Sequence, residues 1–379
     1  VMAISKVIRP ISDVRVGILG ESSFGVGIDN DGTDGQAYRQ LPVVQVQKPT
    51  FNITRESRLL SGRGLVKHKD DTIINTRGGT VTMPFECIAT PKLLAQHLAL
   101  VLQEHSESSN YKHLFEVGGQ GSEVAQVGGT ISNNIPHSVQ VAYYPQASGG
   151  TRITGAVVSD LSLSLDYGTN GGYMTMSGNY FSGFSNPLAS ATSLETDFTL
   201  ANWIAPEATG YYNIGDMSTK ALGVDDFNDQ DGDEAADGDQ LKDIVLKSMN
   251  LNIANGVNRV GFNSNGDAEL YAIPEYTITG DITVKMDDNF DYTAGTNVLQ
   301  DFLDGDTLKL AINIGDGTVT SVGELNMQMN IQYTGDPAQD ISENGIFHTL
   351  AFECVDAGTS DNNEALEIEL FNGESQSAW

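Results

Sequence analysis

The chain has 379 residues, with 20 Lys/Arg against 50 Asp/Glu, a formal charge of -30, 41 glycines and an apolar share of 39%. That length fits two domains or one large β domain, and the apolar share is enough for one or two cores, which excludes a wholly disordered chain. The acidity excludes a subunit that grips nucleic acid through clustered positive charge.

The charge is unevenly placed. Residues 1–112 hold 13 basic and 11 acidic residues, and 113–379 hold 7 and 39, so the balance moves from +2 to -32. Such polarity suits head-to-tail contact between unlike surfaces of identical copies. Cys87 and Cys354 sit far apart in apolar, strand-like contexts and read as reduced thiols. No stretch approaches the ~20 apolar residues needed to span a bilayer, and residues 1–30 carry no basic-plus-apolar signal pattern. The expectation is a soluble protein made in a cytoplasm, with no membrane partner.

In chain order, Val14–Leu19 reads as a strand, followed by a turn-rich loop (GESSFGVGIDNDGTDGQ). The stretch from Val43 to Glu104 organises the rest. It gives a strand (VVQVQ), an extended run (TFNIT), a charged arm over 55–79, a strand (TVTMPFECIA) and a helix. The arm has too little apolar surface to offset the entropy of ordering it alone, so it is either a solvated loop or a grip on a neighbouring molecule. In the helix, Thr90 caps, Pro91 takes the first position, and Leu94, Leu98 and Val101 recur at i, i+4, i+7. His97 and His105 lack a third ligand or a carboxylate and read as structural. A strand follows at Ser138–Tyr144, and then VVSDLSLSLDY and YMTMSGNYF form a β-hairpin.

A second pass in the same order follows a linker near 185–193. MNLNIA echoes TFNIT, with Asn252-Ile253 standing 200 residues after Asn52-Ile53. Strand Thr277–Met286, a short helix (TNVLQDFL) and strand Thr307–Ile314 come next. Glu324–Tyr333 then repeats the alternation of Asp160–Tyr167, and Ile346–Val355 answers Tyr173–Phe181. The order implies a duplication: residues 1–190 as a first domain and 191–379 as a second. Between them Asp225–Asp243 holds nine acids but no calcium-loop frame, and reads as a solvated loop.

No catalytic constellation is present. The sequence lacks G-x-S-x-G, a Walker loop and H-E-x-x-H, and GGQGSEV is not a dinucleotide fingerprint. The expectation is a protein that is not an enzyme and carries no metal or cofactor. The basic arm (Arg55, Arg58, Arg63, Lys67, Lys69, Arg77) has no interleaved aromatics for base stacking, so docking onto an acidic face of another subunit fits it better.

VGILGESSFGVG, then YRQLPVVQVQKPTFNITRESRLLSGRG, then DDTIINTRGGTVTMPFECIATPKLLAQHLALVLQ, and later LSLSLDYGTNGGYMTMSGNYFSGFS resemble the tail tube (major tail) proteins of long, non-contractile-tailed bacteriophages. The resemblance implies a mainly β fold of two tandem tail-tube-type β-sandwich domains, each flanked by one α-helix, whose sheets join into a β-barrel tube on oligomerisation. It implies a structural virion protein that self-assembles into stacked rings around the DNA-ejection channel. The ring would be a homotrimer of pseudo-hexameric outline, or a homohexamer if each chain holds one tube domain. Its partners would be itself, the tail terminator, tape measure and baseplate proteins, and double-stranded DNA that passes without specific binding. Alternatives are another tail ring protein, such as a terminator or baseplate hub, and a calcium-dependent β-sandwich adhesin.

Two sets of residues follow as expected sites. The six basic residues of the arm would reach the adjacent ring. On long alternating strands, Asp160, Asp166 and Glu324 would face the channel, where an acidic wall repels phosphate within the screening length of about 8 Å.

Overall fold

The computed structural model describes residues 14–21, 24–25, 38–57, 72–103, 105–108, 111–117, 126–127, 138–144, 151–166, 168, 172–184, 188–189, 194–195, 212–216, 242–243, 246–262, 268–285, 302–305, 307–314, 322–336, 338–342, 345–356 and 365–373. The protein is mainly β. The first half begins with β1 (Arg15–Gly20), β2 (Tyr38–Gln40), β3 (Val43–Val46), β4 (Thr50–Ser57) and β5 (Thr72–Ile88). After α1 (Pro91–Leu102) come β6 (Ser106–Ser108), β7 (Lys112–Val117), β8 (Gln126–Val127), β9 (Val139–Tyr144), β10 (Thr151–Asp166), β11 (Thr175–Ser182) and β12 (Leu188–Ala189). The second half holds β13 (Leu194–Glu195), β14 (Tyr212–Asp216), β15 (Lys242–Asp243), β16 (Leu246–Ala254), β17 (Asn258–Phe262) and β18 (Ala268–Ala272). It continues through β19 (Thr277–Lys285), β20 (Leu308–Ile314), β21 (Leu325–Tyr333), β22 (Ala338–Ser342), β23 (Gly345–Cys354) and β24 (Leu366–Phe371).

The alternating sequence of β10 explains its place. Leu161, Leu163 and Leu165 are fully buried while Ser162, Ser164 and Asp166 are half-exposed, as a period of two requires when one sheet face is covered. β10 sits between β11 and β16: Leu163 stands opposite Met176 on one side and Leu251 on the other. The main sheet therefore runs β5–β11–β10–β16–β19–β23, antiparallel throughout, and crosses from the first half to the second at the β10–β16 ladder. β3 and β4 share the edge beside β5, and β22 lies at the edge beside β23. Among the described strands the ladders branch without closing on themselves.

A second sheet, β6–β7–β24–β21–β20–β14–β15, packs over the apolar face. It joins the main sheet where Ile331–Tyr333 pair with Phe352–Cys354. One apolar cluster fills the space between the sheets and holds α1 within it. The Thr90 hydroxyl accepts from Leu93 N and Pro91 opens the helix, as its sequence indicates. Its burial differs from the one-sided stripe. Leu93 to Leu102 are all buried, Gln96 and His97 included, because β10 of the main sheet lies against the helix and β7 and β24 of the second sheet do too. Of the short second helix, the described part is a turn at 302–304.

Residues from the second half terminate α1. Asn255, fully buried, donates through Nδ2 to Val101 O (2.9 Å) and Val158 O (2.8 Å) and accepts from Val257 N (3.1 Å). The Tyr276 hydroxyl donates to Leu102 O at 2.5 Å. The last carbonyls of a helix have no partner within it; here Gln103 meets Ala99 O and Leu100 O, and side chains more than 150 residues downstream meet Val101 O and Leu102 O.

Candidate functional site

The face of the main sheet turned away from the core is polar, and the strand registers set its residues in rows. One row runs Glu86, Ser177, Ser162, Asn252, Thr279, Glu353, and the next runs Ile88, Thr175, Ser164, Asn250, Asp281, Ala351. Side chains bond along these rows from strand to strand. Asn179 Nδ2 bridges both carboxylate oxygens of Asp160 (3.1 and 3.0 Å), and Ser162 and Ser164 donate to Asn252 and Asn250 (2.8 and 2.7 Å). Asn250 in turn donates to both oxygens of Asp281 (3.2 and 3.0 Å). Ser162–Asn252 and Ser164–Asn250 cross the junction between the halves, so they fasten it on the open face as well as through the backbone.

Among the described residues the carboxylates of this face are Glu86, Asp160, Asp166, Asp281 and Glu353, none of them buried. The basic residues near it stand at one end, where Lys285 pairs across to Phe347 and the Lys247 ammonium lies 4.5 Å from the Phe347 ring centre. Asp160 and Asp166 thus share one acidic surface. Glu324 does not: it is 1% exposed and stands at the start of β21, in the second sheet. Alternation failed there because β21 is covered on both sides. Asn326, Gln328 and Asn330 are buried along with Leu325, Met327 and Met329. Local sequence gives no sign of Asp281, Glu353 and Glu86 on this face, because each is placed by its register against a distant strand.

The sheet has two distinct ends. At the arm end, where β4 and β5 leave the body, the ladder breaks between Asn52 and Thr54 and resumes as Thr54–Ser57 against Thr72–Asn75. The arm therefore starts as a β-ribbon carrying Arg55 on one strand, with Arg77 on the other. Arg58, Arg63, Lys67 and Lys69 lie outside the described residues, as do the side chains of Arg55 and Arg77 and most of the 225–243 loop.

The β17–β18 hairpin folds over the same end. Tyr271 OH donates to Gly155 O (2.6 Å) and accepts from Gly183 N (2.6 Å), and Arg259 Nη1 donates to Gly79 O (3.0 Å). Burial raises the Tyr271 hydroxyl pKa. Gly183 allows the close approach, since a Cβ there would stand 2.6 Å from Ala268 Cβ. Beneath it Glu21, buried, accepts from Gly25 N (2.9 Å), Gly155 N (2.9 Å) and Ser138 Oγ (2.7 Å); desolvation raises its pKa above the usual carboxylate range against the pull of these donors.

No group of three or more His, Cys, Asp or Glu among the described residues is placed to hold a metal ion. His97 is fully buried, with Nδ1 against Leu93 O and Nε2 against Tyr180 OH, both at 2.6 Å, so it pins α1 to β11. Its burial lowers its pKa to about 4. Cys87 and Cys354 are free thiols. No described helix is long and apolar enough to cross a membrane.

The family model described as phage tail tube protein matches residues 11–354, nearly the whole chain. The chain belongs to the phage tail tube protein family. This tail tube protein is thus a structural component of the virion tail that self-assembles into a tube with other tail proteins. A comparison with individually curated proteins finds no match.

Proposed function

We propose that this tail tube protein forms stacked rings around the DNA-ejection channel of a long, non-contractile tail, with three copies per ring and no enzymatic role. The observation that carries this is the main sheet: one subunit supplies eight strand positions with an open edge on each side, β3/β4 and β22, and an acidic face that no described element covers. Its order also repeats. In the sheet β4–β5–β11–β10 are neighbours in the first half and β16–β19–β23–β21 in the second, and in each set the four strands come along the chain as first, second, fourth and third of the set, which supports a duplicated tube domain over 1–190 and 191–379.

Eight strands closed alone would leave an interior just filled by side chains, whereas 16 to 18 already leave an aqueous channel. Three copies supply on the order of 24 strands which, at about 4.8 Å each, give a diameter of roughly 37 Å before tilt. Edge joins edge, so no unpaired strand is left to aggregate. Asp160, Asp166, Asp281, Glu86 and Glu353 then line the wall and repel phosphate at short range, while the arm residues Arg55, Arg58, Arg63, Lys67, Lys69 and Arg77 reach the next ring. Negative-stain imaging of the purified chain with end-on rotational averaging tests this. Hollow tubes with threefold rings are expected. Six copies per ring would remove the duplication, single rings that never stack would point to a terminator or hub, and dispersed monomers would overturn the reading.

A further inference from the structure

Large apolar side chains stand exposed at both strand ends of the main sheet. At the arm end Val260 and Phe262, on β17, are 44% and 57% exposed. At the opposite, turn end Tyr173 precedes β11, and Ile341 and Ile346 face each other across the β22–β23 hairpin; they are 39%, 72% and 40% exposed. The arm-end hairpin is tied down by Tyr271 and Arg259, and the Arg259 guanidinium also lies 5.2 Å from the Phe262 ring centre. Among the described residues β17 pairs on one side only, with β18, and has no Lys or Pro to discourage pairing on the other.

We infer that Val260 and Phe262 at the arm end dock end-on against the turn end of a second copy of this chain in the next layer, where Tyr173 beside β11 and the Ile341–Ile346 pair on β22 and β23 stand exposed. The inference rests on the ring-stacking reading above. The hairpin folds over the arm end, bonded to Gly79 of β5 and to Gly183 just after β11, so it stands at the strand ends, where a copy set end-on meets it. The two surfaces differ, so the contact is heterologous and repeats without closing, as a tube requires.

The test uses two full-length variants, V260D/F262D and Y173D/I346D. All four side chains are exposed, so unchanged circular dichroism and melting temperature confirm that each variant folds. Each alone is expected to stop at single rings under conditions where the unaltered chain gives long tubes. Rings of the two variants, formed separately and mixed, should give two-ring stacks and nothing longer, because one intact end of each remains. Long tubes from either variant alone overturn the inference, as do two-ring stacks from Y173D/I346D alone, which would mean like ends meet. A second measurement places a photoreactive phenylalanine analogue at 262 in otherwise unaltered, mixed-isotope tubes. Crosslinks to a peptide holding 173, 341 or 346 of another copy support the contact, and crosslinks confined to the same chain refute it. If the unaltered chain forms no rings or tubes, the ring-stacking reading itself fails and this inference with it.

Discussion

Replacing Asn255 with alanine should weaken the whole fold, because one side chain satisfies three backbone groups from three segments. Asn255→Ala strips Val101 O of α1, Val158 O of β10 and Val257 N of their partners at 2.9, 2.8 and 3.1 Å, in a site with no solvent exposure. A net contribution of about 1 kcal/mol per hydrogen bond gives a loss of roughly 3 kcal/mol, and buried groups left unmet can each cost 1–3 kcal/mol, so roughly 3–5 kcal/mol is the expected range. The assay is urea unfolding of the unassembled subunit followed by circular dichroism, comparing midpoints at constant slope. Asn255→Asp should be worse, since it keeps an acceptor for Val257 N, loses both donors and buries a charge. Tyr276→Phe, which frees only Leu102 O, should cost about 1 kcal/mol. A loss below about 0.5 kcal/mol for Asn255→Ala would refute the view that the second half caps α1, since no orphaned buried carbonyl is that cheap.

Three further outcomes are expected. His97 is held neutral, with a pKa lowered to about 4 against an ordinary 6.5. Its contribution is therefore complete above about pH 6.5 and declines as pH falls toward 4, by about 1.4 kcal/mol per pH unit; His97→Gln should flatten that part of the pH–stability curve, and an unchanged slope would count against the buried neutral ring. Gly183→Ala would press a Cβ to 2.6 Å from Ala268 Cβ and 2.9 Å from Arg259 Cδ; a cost of about 1–3 kcal/mol is expected, with faster hydrogen exchange confined to 258–272, and uniform exchange would show that the hairpin is not held there. Charge reversal at Arg58 and Arg63 should leave the subunit folded by melting temperature and unable to polymerise, and normal tubes from that variant would remove the arm from the inter-ring contact.

How much the sequence reveals depends on how local the cause is. The α1 helix was readable because its cap, its first proline and its leucine spacing lie within 13 residues. The β10–β11 hairpin was readable from strict alternation, and so was the side on which Asp160 and Asp166 stand. The same rule misplaced Glu324, because alternation reports a one-sided strand and β21 is buried on both faces. The all-round burial of α1 was hidden for the same reason: Gln96 and His97 look like a wet face until a second sheet covers them. Asn255 gives no signal at all, since its three partners are remote or depend on a turn that only the fold creates.

The β10–β16 ladder bears on the proposed repeat. Two β-sandwiches joined by a linker would each present two open edges and could rotate against each other. Here seven residue pairs, Asp160–Ala254 through Asp166–Ser248, join the first half's inner strand to the second half's, and Ser162 and Ser164 bond to Asn252 and Asn250 beside them. Asn255 and Tyr276 add a second fastening through the helix. Two of four edges are thereby removed before any copy meets another. The two that remain, β3/β4 and β22, are unlike in sequence, so a symmetric pair that buries one edge type against itself leaves the other open. A ring in which each copy's β22 side meets its neighbour's β4 side leaves none.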